Sequence, residues 1–529
     1  MHQKKTPCQI YGGKEGRFII MKWKKGMAVL TAAACLAGCL AGCSGSGSDS
    51  GSKESSKEES TEIKDITWMY AQMSGMIPED LQKVEDALNE ITEEKIQVHV
   101  NLNPVSFADY QNQISLIMAS QEKMDIITTA GSNIWSALLS QRQLTPLNDL
   151  LDEYGADIKD TVPEDYFRGT TVNGNIYAVT TNGTKSDNYN IVLRKDLVDK
   201  YDLQDEVEKI KASDSILDMD ENFEILEGIF QVIKENEPEM EILFPWGSNM
   251  GINYDQLSDR LGVMMYDGED IENLFASEEY KKLCETIYGW ARDGYIMKDA
   301  ATTTESAGSL MKSGRLFAYT LSSGRGNYID PGAANGYEAY CVNLRKPSIS
   351  NNSITLFANC IPTTTTEPEA AMKFLNLLYS DADVVNLMAY GVKGEHYVEK
   401  EDGWIAYPDG VDASNSKYPG DQTYMYGNAF LLADHETYTT QSAEEGKAYD
   451  AGAYITNCMG FNYSSDEIKN EVAACSAVLN EFRTGLEMGA MDPATELPAF
   501  LKKLEKSGIN VIIEEKQKQL DEWKETLKE

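Results

Sequence analysis

From Ile66 onward, apolar positions recur in two rhythms that replace one another. Ile66-Thr67-Trp68-Met69-Tyr70 reads as a short strand. Pro78 can open a helix in which Leu81, Val84, Leu88 and Ile91 recur at helical spacing. Ile96, Val98, Val100 and Leu102 then alternate with polar neighbours, the period-2 pattern of a half-buried strand. Ser106 is placed to cap a second helix with Phe107, Tyr110, Ile114 and Ile117 on one side. Met124 to Ala130 (MDIITTA) is a third strand, and a third helix is expected near Ser132. Strand and helix in alternation predict right-handed crossovers and a mostly parallel sheet. Ligands of such sheets sit beyond the carboxyl ends of the strands, here near Tyr70, near Asn103 and at Thr129–Asn133.

Further along, NGNIYAVTTNG carries an Asn173-Gly174 turn and a strand through Tyr177 and Val179. YNIVLRKDLVDKYDL runs from strand into helix. In TTTTEPEAAMKFLNLLYS, Thr366 and Glu369 have the spacing of a capping box, and Pro368 fits the first turn. Ala371, Phe374, Leu375 and Leu378 form the core-facing stripe of that helix.

The N-terminus follows another plan. In MKWKKGMAVLTAAACLAG, Lys22, Lys24 and Lys25 precede an apolar run that starts at Gly26, the anatomy of a secretory signal peptide. Whether it ends at Cys35 or Cys39, the run is shorter than the roughly 20 residues that span a bilayer as a helix. Leu-Ala-Gly-Cys occurs twice, ending at Cys39 and Cys43, and resembles a bacterial lipobox, whose cysteine is lipidated on its thiol. Cys43 is the expected anchor because a polar segment starts directly after it; Cys39 is the alternative. Residues 1–20 do not fit the plan. Gly-Lys-Glu-Gly-Arg can be encoded by purine-rich codons like a ribosome-binding site, so translation is expected to start at Met21. Residues 44–62 hold only Ser, Gly, Asp, Lys, Glu and Thr, which cannot bury apolar area and should form a disordered tether.

Charge narrows the function. A net charge of −38 from 85 acids and 47 bases repels nucleic acid and anionic lipid, so no nucleic-acid partner is expected and a covalent lipid would have to hold the chain at a membrane. Beyond the signal lie Cys284, Cys341, Cys360, Cys458 and Cys475, odd in number, widely spaced and without CxxC; buried free thiols are the simpler reading. GxSxG, HExxH and P-loop patterns are absent, and His99, His396 and His435 lack metal-ligand spacing.

Several longer stretches resemble the type-1 extracellular solute-binding proteins, which include the maltose-binding proteins, and more narrowly the LplA/LipO-type lipoproteins of Gram-positive bacteria. NGNIYAVTTNG with IVLRKDLVDKYDL resembles the first crossing between lobes. MKSGRLFAYT resembles the family's strand entry, with Arg315 where Lys is common. EPEAAMKFLNLLYSDADVVNLMAYGVKGEHYV resembles the helix pair after the second crossing. FNYSSDEIKNEVAACSAVLNEF and EEKQKQLDEW resemble the C-terminal region of the subgroup. The resemblance spans roughly 63–529 and implies an α/β, two-lobed periplasmic-binding-protein-like (type II) fold with a hinge and a C-terminal helical extension. It places lobe I at 63–183 and 357–445, and lobe II at 188–355 and 450–529. It further implies a monomeric, lipid-anchored receptor on the outer face of the cell membrane. That receptor would take a carbohydrate, most often an oligosaccharide, between its lobes and hand it to an ABC permease, with no catalysis, metal or cofactor. A peptide solute, a sensor or adhesin role, and a secreted carbohydrate-active enzyme are the alternatives.

A sugar has C–H faces that suit aromatic rings and hydroxyl edges that suit short polar side chains. Aromatics beside short polar residues at predicted strand ends and crossings are therefore the candidate ligand residues. In lobe I they are Trp68 and Tyr70, then Ser132, Asn133 and Trp135, with Tyr177 and Asn182 at the first crossing. In lobe II they are Trp246, Tyr319 and Ser322, with Asn359 at the second crossing; Phe461 and Tyr463 in MGFNY are added because the resemblance to the maltose-binding proteins implies a late aromatic there.

Overall fold

A computed structural model describes residues 62–73, 76–245, 251–266, 268–323, 337–401, 403–412, 415–419, 422–436 and 443–527. The stretch expected to be a signal peptide, Cys39, Cys43, nearly all of the expected tether and Trp246 lie outside the described residues.

Three parallel strands start the first lobe: β1 (Lys64–Gln72) at the centre, β2 (Val98–Ser106) on one side and β3 (Ile126–Thr128) on the other. The hairpin β4 (Thr171–Val172) and β5 (Asn175–Ile176) turns at Asn173 and Gly174, both at positive φ (50° and 77°), as an Asn-Gly turn requires. It leads into β6 (Ala178–Thr180), which closes the first sheet through an antiparallel partner described below.

The second lobe is built on β7 (Asp187–Arg194), with β8 (Glu241–Phe244), β12 (Leu316–Ser323), β13 (Ala339–Ile349) and β17 (Tyr454–Ile455) in the order β17-β13-β7-β12-β8. A small antiparallel sheet, β11-β10-β9, forms from β9 (Tyr254–Asp255), β10 (Val263–Met265) and β11 (Ile271–Glu272). From β13 the chain returns to the first lobe as β14 (Ala358–Cys360), inserted antiparallel between β3 and β6. A last hairpin, β15 (Val398–Glu399) and β16 (Ile405–Ala406), precedes the return of the chain to the second sheet at β17.

Each lobe has its own core. Trp68, Leu88, Val100, Ile126, Phe374 and Leu375 belong to the first, and Ile191, Leu226, Phe230, Trp290 and Phe317 to the second. Fully burying one such side chain contributes about 1.5–3 kcal/mol. A third, smaller cluster joins Leu257, Met264, Ile271, Cys458, Phe461 and Leu520. It sits under the last helix, Ile509–Thr526; with Lys469–Glu487 and Pro493–Ser507, which pack on the second core through Phe482 and Phe500, this helix forms the C-terminal helical extension. This is the two-lobed α/β arrangement that the resemblance implied.

Three local readings need correction, and a fourth holds in part. Ile96 ends helix α1 (Leu81–Ile96) rather than opening β2, because Gln97 takes a left-handed conformation (φ 55°) and its N–H caps the last turn. That helix starts at Leu81, one turn beyond Pro78. The Thr366–Glu369 capping box does not form: the helix Pro368–Ser380 has Glu367 at its N-cap without a side-chain bond, and the Glu367 N–H donates to Thr365 Oγ1 (3.0 Å). Ser106 does hold the N-cap of helix α2 (Phe107–Ser120), but its hydroxyl donates to Asp109 (2.7 Å) instead of accepting from the backbone.

Candidate functional site

The crossings between lobes are held by side-chain acceptors. Residues 181–186 link β6 to β7. There the Asp450 carboxylate accepts from the backbone N–H of Lys185 (3.0 Å) and of Ser186 (2.9 Å), from the Ser186 hydroxyl (2.5 Å) and from the Tyr166 hydroxyl. Burial pushes the Lys185 ammonium down to about 7, with Asp450 opposing the shift. The second crossing is the short helix Asn351–Thr355, started by a Ser350–Ser353 capping box. Its Asn351 is tied to the small sheet: Asp255 accepts from the Asn351 N–H (2.8 Å) and Nδ2 (3.1 Å). Burial raises the Asp255 carboxyl, and these bonds oppose it.

Beside this crossing the lobes meet. Helix α3 (Ser132–Ser140) starts directly after β3, where a parallel sheet presents its ligand loops. It brings Ser132, Trp135 and Ser136 against Asp255, Gln256, Leu257 and Ser258 of the second lobe, and against Phe461, Asn462 and Tyr463. Trp135 Nε1–H donates to Asn462 Oδ1 (2.7 Å), and the Ser136 and Ser258 hydroxyls lie 3.0 Å apart. The enclosed space is about 10 Å³, room for one water and not for a sugar ring, so a solute enters only where these walls part.

The structure therefore brings together four of the candidate residues, Ser132, Trp135, Phe461 and Tyr463. Asn133 lies beside them, exposed, donating to Gln111 on α2 (3.1 Å). Ser322 is exposed at the end of β12 and donates to Asp187 at the start of β7 (2.7 Å), where the second sheet faces the first crossing. Tyr177 is half-buried against the first core, outside the junction.

Five others lie away from the junction, contrary to expectation. Trp68 and Tyr70 are fully buried; rings of Phe374 and Tyr426 pack on Trp68, Tyr426 also packs on Tyr70, and Trp68 Nε1–H is spent on Thr128 Oγ1 (2.8 Å). Trp135 is as buried as these two rings, but it is covered at the junction by Asn462 of the other lobe, whereas Trp68 and Tyr70 are sealed inside the core of one lobe and would offer no face to a sugar if the walls parted. Asn182 is buried at the first crossing and donates to Asn428 (3.1 Å), and Asn359 is buried inside the first sheet, where it accepts from Thr128 Oγ1 (2.6 Å). Tyr319, buried in the second core between β7 and β8, is a core residue too.

Sequence reading missed Ser136, Gln256, Ser258, Asn351 and Asn462. Asn462 stands between two candidates in MGFNY and was within reach; Gln256 and Ser258 belong to a stretch without a motif.

Asp80, Glu395 and His396 are the described residues grouped closely enough to hold a cation. Lys83 Nζ already pairs with Asp80 (3.0 Å) and Glu395, and His396 Nδ1 accepts from the Val392 N–H (2.8 Å), which directs Nε2–H at Asp80 (3.3 Å). The ammonium stands where an ion would, and both ring nitrogens are engaged. His99 Nδ1 is 2.6 Å from Glu93 in a surface pair.

Residues 86–392 match the family described as bacterial extracellular solute-binding protein, and residues 457–525 match a domain of unknown function, DUF3502. A carbohydrate ABC transporter substrate-binding protein of Streptococcus pneumoniae serotype 4 (strain ATCC BAA-334 / TIGR4) is 26% identical over 457 residues, 84% of this chain and 89% of that one. The N-glycan transport solute binding protein NgtS of S. pneumoniae superposes with a TM-score of 0.74 at 23% identity, over 87% of this chain and 98% of that one. Its complex with Man5GlcNAc superposes with a TM-score of 0.66 at 23% identity, over the same shares. The chain belongs to the bacterial extracellular solute-binding protein family.

Proposed function

We propose that this chain is the extracellular, lipid-anchored solute-binding component of an ABC importer, and that it takes an oligosaccharide between its lobes for delivery to the membrane permease. The observation that carries this reading is the junction itself. Trp135 with Ser132 and Ser136 comes from one lobe, and Tyr463 with Gln256, Ser258 and Asn462 from the other. Aromatic faces and short polar edges therefore converge from two bodies joined by crossings. A solute that touches both walls favours the arrangement in which they close on it by its differential affinity.

Binding without catalysis is the chemistry the junction supports. The Asp255 carboxylate is taken up by Asn351 and the Leu257 N–H (3.2 Å), and Asp259 by Lys516 and Tyr463. A glycosidase needs two carboxyl groups facing one bond. The carbohydrate ABC transporter relative and the glycan-bound NgtS structure favour a sugar over a peptide. Cys43, or Cys39, would carry the lipid at the outer face of the membrane, with the protein acting as a monomer.

Thermal unfolding of the purified protein across mono- and oligosaccharides, including Man5GlcNAc, with peptides as controls, tests the reading. A ligand at 100 times its dissociation constant stabilises by about 2.7 kcal/mol. A shift with one glycan class is the expected result. A shift with peptides alone would keep the fold and overturn the solute.

A further inference from the structure

The loop 255–262 between β9 and β10 has an uncommon backbone. Leu257, Ser258 and Arg260 take positive φ of 44°, 74° and 64°, a conformation L side chains avoid, and Gly262 follows at 90°. Such strain persists only where the surroundings hold it. The hold comes from the C-terminal helix Ile509–Thr526. Lys516 on that helix is fully buried, and its ammonium has three N–H groups to place. All three are used on this one loop: Asp259 Oδ1 at 2.6 Å, Gly262 O at 3.0 Å and Leu257 O at 3.3 Å. Asp259 Oδ1 also accepts from the Leu261 N–H (2.8 Å), and Oδ2 accepts from the Tyr463 hydroxyl. The ammonium lies 4.2 Å from the centre of the Tyr463 ring. Ile513, Leu520 and Trp523, on the same face as Lys516, pack with the small apolar cluster that contains Leu257.

The opposite side of this loop faces the other lobe. Ser258 meets Ser136 there, and Gln256 comes within 3.5 Å of Ser132.

We propose that the segment 457–525, the domain of unknown function, is a buttress whose Lys516 sets the loop 255–262 so that Gln256 and Ser258 face the solute site. Lys516 is a positioning residue: it touches no solute and acts through Asp259, Leu257 and Gly262. The inference rests on the proposed function for the identity of the solute and for the place of its site at the junction.

The test compares the unaltered protein with the double variant Lys516→Met, Asp259→Asn. Removing both charges avoids leaving a carboxylate without its partner. Amide hydrogen exchange is read without ligand, and affinity is read by calorimetry with Man5GlcNAc. Exchange in 255–262 is expected to rise about tenfold or more, with β7, β12 and β13 unchanged. Affinity for Man5GlcNAc is expected to fall about tenfold, with the far-ultraviolet circular dichroism spectrum retained. Tyr463→Phe, which removes only the hydroxyl bond to Asp259, should give a smaller rise in exchange in the same peptides. Unchanged exchange in 255–262 in the double variant would overturn the proposal, and so would a mobilised loop with unchanged affinity. If the unaltered protein binds no saccharide, the sugar reading falls, while the exchange contrast still decides whether Lys516 positions the loop.

Discussion

Replacing Asp450 by Ala should weaken the first crossing more than any surface charge change. Its carboxylate gathers the Lys185 and Ser186 N–H groups, the Ser186 hydroxyl and the Tyr166 hydroxyl. Ser186 is fully buried and Tyr166 is buried, so water cannot replace the acceptor freely. Hydrogen bonds to a charged group contribute about 1.5–3 kcal/mol each, and a buried donor left alone costs about 1–3. Lys185 is only half-buried and a hydroxyl can turn to another partner, which leaves a net loss of about 3–5 kcal/mol. A chain of this size unfolds with an entropy on the order of 1 kcal/mol/K when both lobes melt together, so Tm should fall by about 3–5 °C. Asp450→Asn keeps one acceptor oxygen and should lose about half as much. Scanning calorimetry of the three proteins reads this directly. A fall of less than about 1 °C for Asp450→Ala would refute the view that this carboxylate organises the crossing.

Trp135→Phe keeps an aromatic ring and removes the N–H bonded to Asn462, which should cost about 1 kcal/mol in urea unfolding. An unchanged midpoint would mean the bond between lobes contributes nothing. Burial pushes Lys185 down to about 7, so the unfolded chain binds more protons than the folded one from about pH 7 to pH 10. The Tm of the unaltered protein relative to Lys185→Met should therefore rise between about pH 6 and pH 9, and a flat or falling difference would contradict the shift. Burial pushes Cys284 and Cys341 up to about 12 and Cys475 to about 11, with Cys360 and Cys458 also raised. At pH ~8 a thiol reagent should label the buried Cys284, Cys360, Cys458 and Cys475 only on unfolding and the half-buried Cys341 ahead of them, read peptide by peptide by mass spectrometry; rapid labelling of the four in the native protein would count against their burial.

The first six elements were legible because each carries its own period within ten to twenty residues, as Val84 and Leu88 do in α1 and Val98 and Val100 in β2. The boundary at Ile96 was not, since an apolar residue there satisfies either rhythm and only the left-handed Gln97 decides it. Site residues divided along a similar line. Trp135, on the helix after a strand end, and Tyr463, in a loop, come to the junction between lobes, whereas Trp68 and Tyr70 lie within a central strand of one lobe; Trp135 is as buried as they are, and position in the chain rather than burial separates them. The loop 255–262 left no trace in the sequence. Its left-handed positions are Leu, Ser and Arg rather than Gly, and the lysine that holds them lies 259 residues further on from Leu257. Long-range tethers of that kind have no local pattern to read.

A saccharide held jointly by both lobes at the junction beside the helix Asn351–Thr355 should shield both walls at once. Amide hydrogen exchange with and without the most stabilising glycan reads this. Protection is expected in three separated stretches together: 129–137, 255–262 and 459–464. Protection confined to one lobe, or elsewhere on the surface, would contradict it.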